Sequence, residues 1–103
     1  MISLIAEKLA ELEHLCARYR VRRLALFGSA TGGDFDPQRS DLDLVVDFEP
    51  LSPAEHSAAY FGLWRDLQTL FDREVDLIEY APIDNPYFLR SLLRSQVLLY
   101  DAA

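Results

Sequence analysis

Three carboxylates and one Gly-Ser pair stand where chemistry could be done. Asp41 and Asp43 flank Leu42 at the head of an apolar run that continues to Phe48, and Asp76 sits inside another, residues 74–80 (EVDLIEY). Carboxylates at i and i+2 of a strand point to the same face. Among Leu42, Leu44, Val45 and Val46, unpaired charge is costly, so Asp41 and Asp43 read as functional rather than as solvated surface. Gly28-Ser29 closes an earlier apolar run, RLALF (residues 23–27). A tight Gly-Ser turn can bring backbone N–H groups close to a phosphate. If the two carboxylate-bearing strands are neighbours, Asp41, Asp43 and Asp76 can converge on one face of a sheet. Such a set can hold two Mg²⁺ ions, which take a few protein carboxylates and leave positions for phosphate oxygens. One ion can lower the pKa of an attacking hydroxyl while the other holds a triphosphate and its leaving pyrophosphate. Asp76 can also accept the proton of the acceptor hydroxyl.

The elements that must position these residues are legible in the periodicity. Ile5, Leu9, Leu12, Cys16 and Tyr19 recur at helical spacing, which predicts a helix over 3–19. Cys16 falls on its apolar face and reads as packing; His14 lies off that face. Residues 23–27 and 42–48 read as strands. Ser29 to Thr31 could start a short helix or turn, and Gly32-Gly33 with Asp36-Pro37 argue for a loop. Ser52-Pro53-Ala54-Glu55 is a capping box with Pro at the first helical position, opening a helix to about Phe71. Tyr60, Leu63, Trp64, Leu67, Leu70 and Phe71 form its expected buried stripe, so Trp64 reads as core rather than as a stacking platform. His56 has no second His or Cys at ligand spacing, which argues against metal there. Residues 74–80 form a third strand. Asn85-Pro86 starts a further helix that turns Phe88, Leu89, Leu92 and Leu93 inward. Residues 97–100 (VLLY) are either extended or helical. The alternation predicts an α/β (α+β) fold: a small mixed sheet of three to four strands flanked by helices.

The 103 residues fit a single domain with one core. No run of eighteen apolar residues is present, so no membrane-spanning helix is expected. The N-terminus lacks a signal-peptide pattern and the single cysteine excludes an internal disulfide framework, so a cytoplasmic location is expected. The net charge of −7 makes direct nucleic-acid binding a poor expectation and suits a basic protein partner better. Asp34 and Asp36 read equally well as a solvated loop. Nine of the ten basic residues are Arg, four of them crowded at Arg18, Arg20, Arg22 and Arg23, where they either touch a partner or form a solvated helix end.

The stretch LFGSATGGDFDPQRSDLDLVVDF closely resembles the signature of the minimal nucleotidyltransferase (MNT) domains of the polymerase β superfamily. In that pattern a Gly-Ser pair is followed by a spacer of ten or eleven residues and then Asp-x-Asp; here the spacer runs from Ala30 to Ser40. EVDLIEY is similar to the family's third-carboxylate strand, and DNPYFLRSLLRSQVLLYDA to its C-terminal segment. The resemblance implies the polymerase β-type nucleotidyltransferase fold and Mg²⁺-dependent transfer of AMP from ATP to a hydroxyl. It makes Gly28 and Ser29 the phosphate-binding pair, Asp41 and Asp43 the metal pair, and Asp76 the third carboxylate. Relatives commonly carry a basic residue after Gly-Ser, where this chain has Gly32 and Gly33; Arg39 is the charge available at the other end of the loop. Many small members resemble antitoxins paired with an all-helical HEPN toxin. The resemblance thus implies a hetero-oligomer in which a tyrosine of the toxin is adenylylated. Two other readings remain: a binding module that neutralises its partner by occlusion, and a transferase acting on a small hydroxylated molecule. A domain of this size has little room for an acceptor platform, which favours an acceptor that brings its own surface.

Overall fold

Two strands carry the middle of the molecule, and everything else is hung from them. β1 (Val21–Phe27) pairs antiparallel with β2 (Leu42–Phe48), and β2 pairs in parallel with β3 (Val75–Glu79). A fourth strand, β4 (Val97–Asp101), adds antiparallel to the other side of β1, giving the order β3-β2-β1-β4. The computed structural model describes residues 3–28, 41–80 and 82–102. The features read from the sequence at Ser29, Gly32-Gly33, Asp34, Asp36-Pro37 and Arg39 lie outside the described residues.

The parallel β2–β3 pair requires a crossover, and α3 (Pro53–Phe71) supplies it. Its start follows the sequence signal. The Ser52 hydroxyl accepts from the Glu55 N–H at 3.2 Å, and the Glu55 carboxylate accepts from the Ser52 N–H at 3.1 Å. The helix ends at Asp72, which turns left-handed at φ 50°. Asn85 caps α4 (Pro86–Ser95) by accepting from the N–H groups of Tyr87 and Phe88.

The N-terminal helix departs from expectation. It is two helices, α1 (Ser3–Ala6) and α2 (Leu9–Arg18), separated at Glu7-Lys8. The Lys8 N–H bonds to the Ile5 carbonyl, a tighter turn than the α-helix, and its φ/ψ of −116°/19° breaks the run. Hydrophobic periodicity does not see this, because Ile5, Leu12 and Cys16 are all buried on either side of the break. β1 begins two residues before the expected strand because Arg20, at φ 58°, turns the chain and lets Val21 enter the core. β3 is one residue shorter at each end than the expected 74–80. Residues 97–101 are extended, which settles the ambiguity there.

Strand alternation divides the side chains into two unequal layers. Leu24, Leu26, Leu42, Leu44, Val46, Phe48, Val75 and Leu77 face α1–α3 and form the main core with Ile5, Leu12, Cys16, Leu63, Leu67 and Phe71. The opposite face is thin: Ala25, Val45 and Leu92 are its buried residues, flanked by Phe27, Ile78, Tyr80 and Ile83. Cys16 packs in the main core as expected, and burial pushes its thiol up to about 12. On α4 the expectation of an inward apolar stripe is corrected. Of Phe88, Leu89, Leu92 and Leu93, only Leu92 is buried, while Phe88 and Leu93 are 46% and 48% exposed. Among the described residues, Leu92 is the α4 side chain buried against the sheet, where it meets Ala25 and Val45. Among the described residues, no helix is long and apolar enough to cross a membrane.

Three of the four clustered arginines are held by partners within the chain. Arg20 reaches Glu49 at 3.2 Å and Glu55 at 3.9 Å, Arg22 reaches Asp47 at 3.7 Å, and Arg18 reaches Asp66 at 3.8 Å. These pairs are mostly solvent-facing and add little stability.

Candidate active site

Register and alternation bring two of the three expected carboxylates together. Asp43 of β2 and Asp76 of β3 are direct partners across the parallel pair. Each lies two residues from a member of the thin-face cluster, Val45 and Ile78, so both occupy the α4 side of the sheet. Asp41, just before β2, lines the same cleft. The sheet order places the end of β1 on the other flank of Asp43, and there Gly28 sits with φ 71°. A Cβ at Gly28 would collide with Oδ2 of Asp43. Glycine is therefore required twice over, for its left-handed backbone and for its close approach to the carboxylate.

The electrostatics follow from this crowding. Asp43 is half-buried, whereas Asp41 and Asp76 are exposed. Burial holds the Asp43 carboxyl above the ordinary carboxylate range, and the charges of Asp76 and then Asp41 push it further the same way. A trio of mutually repelling carboxylates is a hard, all-oxygen donor set of the kind that suits Mg²⁺. Among the described residues, no three His, Cys, Asp or Glu side chains are arranged to hold a metal ion by themselves. Any ion here would complete its shell with oxygens from a bound ligand or water. Ser29, the expected second phosphate-binding residue, lies outside the described residues.

The cleft has a volume of about 320 Å³ and is lined by Asp41, Asp43 and Asp76, with Trp64, Gln68, Glu74 and Val75. Larger hollows exist. One of about 420 Å³ between α2 and α3 is lined by Glu11, His14, Leu15, Arg18, Asp66, Thr69 and Leu70. It does not gather converging carboxylates on a strand pair, so the smaller cleft is the candidate site.

Trp64 was not legible as a site residue, because its position on the apolar stripe of α3 reads as core. It is instead 37% exposed. Its indole Nε1 donates to the Val75 carbonyl at 3.0 Å, and the Gln68 Oε1 accepts from the Val75 N–H at 3.3 Å. Both bonds go to the outer edge of β3, away from β2. The reason is geometric: β3 is an edge strand, and its unpaired backbone groups draw polar side chains from α3. Tyr60 does the same further along, donating to the Leu77 carbonyl. Nothing in the local sequence marks Trp64 and Gln68 as neighbours of Asp76. His56 lies apart from the cleft, with Nε2 at 2.5 Å from Glu79 Oε1 and its ring edge-on to Phe48.

Comparison with known proteins agrees with the geometry. The model of the nucleotidyltransferase domain family matches residues 9–99. Two proteins of Methanocaldococcus jannaschii, both named putative protein adenylyltransferase, are 35% identical over 75 residues and 32% identical over 81. The first alignment covers 73% of each chain and the second 78% of each. A solved structure described as a putative minimal nucleotidyltransferase superposes with a TM-score of 0.68 at 26% identity, covering 93% of this chain and 95% of that one. A toxin–antitoxin structure with AMP-PNP gives a TM-score of 0.68 at 20% identity, over 91% of this chain and 73% of that one. A complex of tri-AMPylated Shewanella oneidensis HEPN toxin with MNT antitoxin gives 0.63 at 17% identity, over 94% and 72%. The last two likenesses establish the fold alone.

Proposed function

The chain belongs to the nucleotidyltransferase domain family, and from that premise we propose that it is an antitoxin that transfers AMP from ATP to a tyrosine of a HEPN-type toxin. It works as a single cytoplasmic domain in a hetero-oligomer with that partner. The observation that carries the reading is the in-register pair Asp43–Asp76, with Asp41 beside it and Gly28 closed against Asp43. The names of the relatives support adenylyl transfer to protein, and the toxin–antitoxin neighbours support the kind of partner.

In this reading Asp41, Asp43 and Asp76 hold Mg²⁺, which when bound offsets the charge of the triphosphate and of the reacting oxygens. Gly28 and Ser29 present backbone N–H groups and a hydroxyl to the β- and γ-phosphates. The acceptor O–H loses its proton to a carboxylate, the role this reading gives to Asp76. A new bond forms between that oxygen and the α-phosphorus, the bond to the β-phosphate bridge breaks, and pyrophosphate leaves. Burial first, and then the charges of Asp76 and Asp41, hold the Asp43 pKa up, and a nearby cation would oppose that shift by favouring the charged carboxylate.

The test is the intact mass of the partner after incubation with this protein, ATP and Mg²⁺. Added AMP units are expected, and the Asp41→Asn/Asp43→Asn double variant should reduce their formation by about a thousand-fold or more, ~4 kcal/mol of transition-state stabilisation. A partner that is silenced with unchanged mass, equally by the double variant, would establish occlusion instead of catalysis.

A further inference from the structure

The cleft has a direction. Read across the sheet, Gly28 at the end of β1 abuts Asp43 of β2, Asp43 is in register with Asp76 of β3, and the indole of Trp64 is fixed to the outer edge of β3. If the phosphates of the donor lie at Gly28, the leaving pyrophosphate lies at that end. In-line displacement puts the attacking oxygen on the opposite side of the α-phosphorus. That side is the β3 edge, where the cleft continues between Trp64, Gln68 and Glu74.

From this order we propose that Trp64 is the floor of an acceptor subsite, and that the subsite selects an aromatic hydroxyl, the phenol of a tyrosine, over an aliphatic one. The inference rests on the transferase reading above and adds to it the residue that receives the acceptor. Three observations converge. The indole is part exposed inside the cleft although it belongs to a helix whose neighbouring stripe residues, Leu63 and Leu67, are fully buried. Its orientation is set by the bond from Nε1 to the Val75 carbonyl, so the ring is held ready rather than free to collapse onto the core. The polar groups around it are already committed or acidic: Gln68 is bonded to Val75, and Glu74 is exposed at the rim. An aromatic ring stacks on such a surface by offset or edge contacts. A serine or threonine side chain has no ring to place there. Once seated, the phenol oxygen is directed toward Asp76, and the bonds made and broken are those already described.

Because Trp64 is the chain's single tryptophan, the protein reports on its own subsite. The experiment uses the whole chain with Mg²⁺ and an ATP analogue that cannot be cleaved between the α- and β-phosphates. Tryptophan emission, excited where tyrosine does not absorb, is followed while N-acetyl-tyrosinamide or N-acetyl-serinamide is added. A saturable change with the tyrosine probe and none with the serine probe is expected. A full change on adding the nucleotide alone, with no further response to the tyrosine probe, would make Trp64 a base platform and overturn the proposal. So would an equal response to the two probes or no response at all.

A second measurement uses ATP and the tyrosine probe as acceptor. Trp64→Leu should raise the acceptor KM about ten-fold while leaving the KM for ATP within about two-fold; the reverse pattern, or no change, overturns the proposal. Trp64→Phe keeps a ring and should retain acceptor KM within about three-fold, which separates loss of the platform from loss of the bond to Val75. If no acceptor of any kind receives AMP while the tyrosine probe still changes the emission, the transferase reading fails and the aromatic subsite stands.

Discussion

The two faces of the sheet differ in depth, and the difference decides where the candidate site can sit. The face toward α1–α3 is a continuous apolar layer in which Leu24, Leu26, Leu42, Leu44, Val46, Leu63 and Leu67 are fully buried. Among the described residues, the face toward α4 has three buried residues and leaves much of α4 exposed. The same strand, β2, feeds both: Leu42, Leu44 and Val46 point into the thick layer, while Asp43, Val45 and Asp47 point to the thin one. A carboxylate on the thick side would be stripped of water with nothing to pair with it. On the thin side Asp43 stays half-exposed, and burial with the nearby charges of Asp76 and Asp41 raises its pKa. A thin face is thus the condition for packing repelling carboxylates on adjacent strands.

The comparison can be broken most forcefully by emptying each face in turn. Leu67→Ala removes a side chain from the thick layer and should cost about 3–5 kcal/mol, whereas Leu92→Ala, under the thin layer, should cost only about 2 kcal/mol. Denaturant unfolding of both variants measures the gap; equal losses would mean that α4 contributes more than its burial shows. Gly28→Ala comes next. Its left-handed backbone and the collision with Asp43 should destabilise the fold by about 1–2 kcal/mol. Transfer should fall further than stability does, because Asp43 must move; parallel melts and activity assays separate the two losses.

The smallest effect is the most diagnostic. Folding raises the Asp43 pKa, so the folded state favours its protonated form. Its contribution is fully present below the ordinary carboxylate value of about 4 and is lost as pH rises through the raised value. Asp43→Asn escapes that loss. Without divalent ions the variant should therefore melt slightly higher than the native protein at about pH 7, and the advantage should vanish by about pH 3. Thermal melts across that range measure it. A variant that melts lower at neutral pH would show that Asp43 is stabilised by a partner rather than strained by its neighbours.

Much of the fold was legible because it depends on local rules. The capping box at Ser52–Glu55, the Asn85-Pro86 start and the alternation of residues 42–48 each specify a local conformation with its own hydrogen bonds or burial, and each is found in place. The carboxylates Asp41, Asp43 and Asp76 were legible for the same reason, since strand parity alone assigns Asp43 and Asp76 their faces. The break at Glu7-Lys8 escaped notice because a tightened turn preserves the buried stripe. The inward reading of Phe88 and Leu93 failed because amphipathicity reports which side of a helix could be buried, not how much sheet is available to bury it.

What the sequence by itself determined is the set of candidate carboxylates and the strand faces that carry them, because side-chain parity along a strand needs no knowledge of the neighbours. Only the tertiary structure decided which strands stand side by side. The parallel β2–β3 pairing set Asp43 opposite Asp76, and β3's place at the sheet edge left backbone groups for Trp64 and Gln68 to satisfy. Asp43 and Asp76 are far apart in the chain, and even the nearer contacts of Trp64 and Gln68 with Val75 are chosen by which buried surfaces and unpaired amides meet, a quantity no local pattern contains.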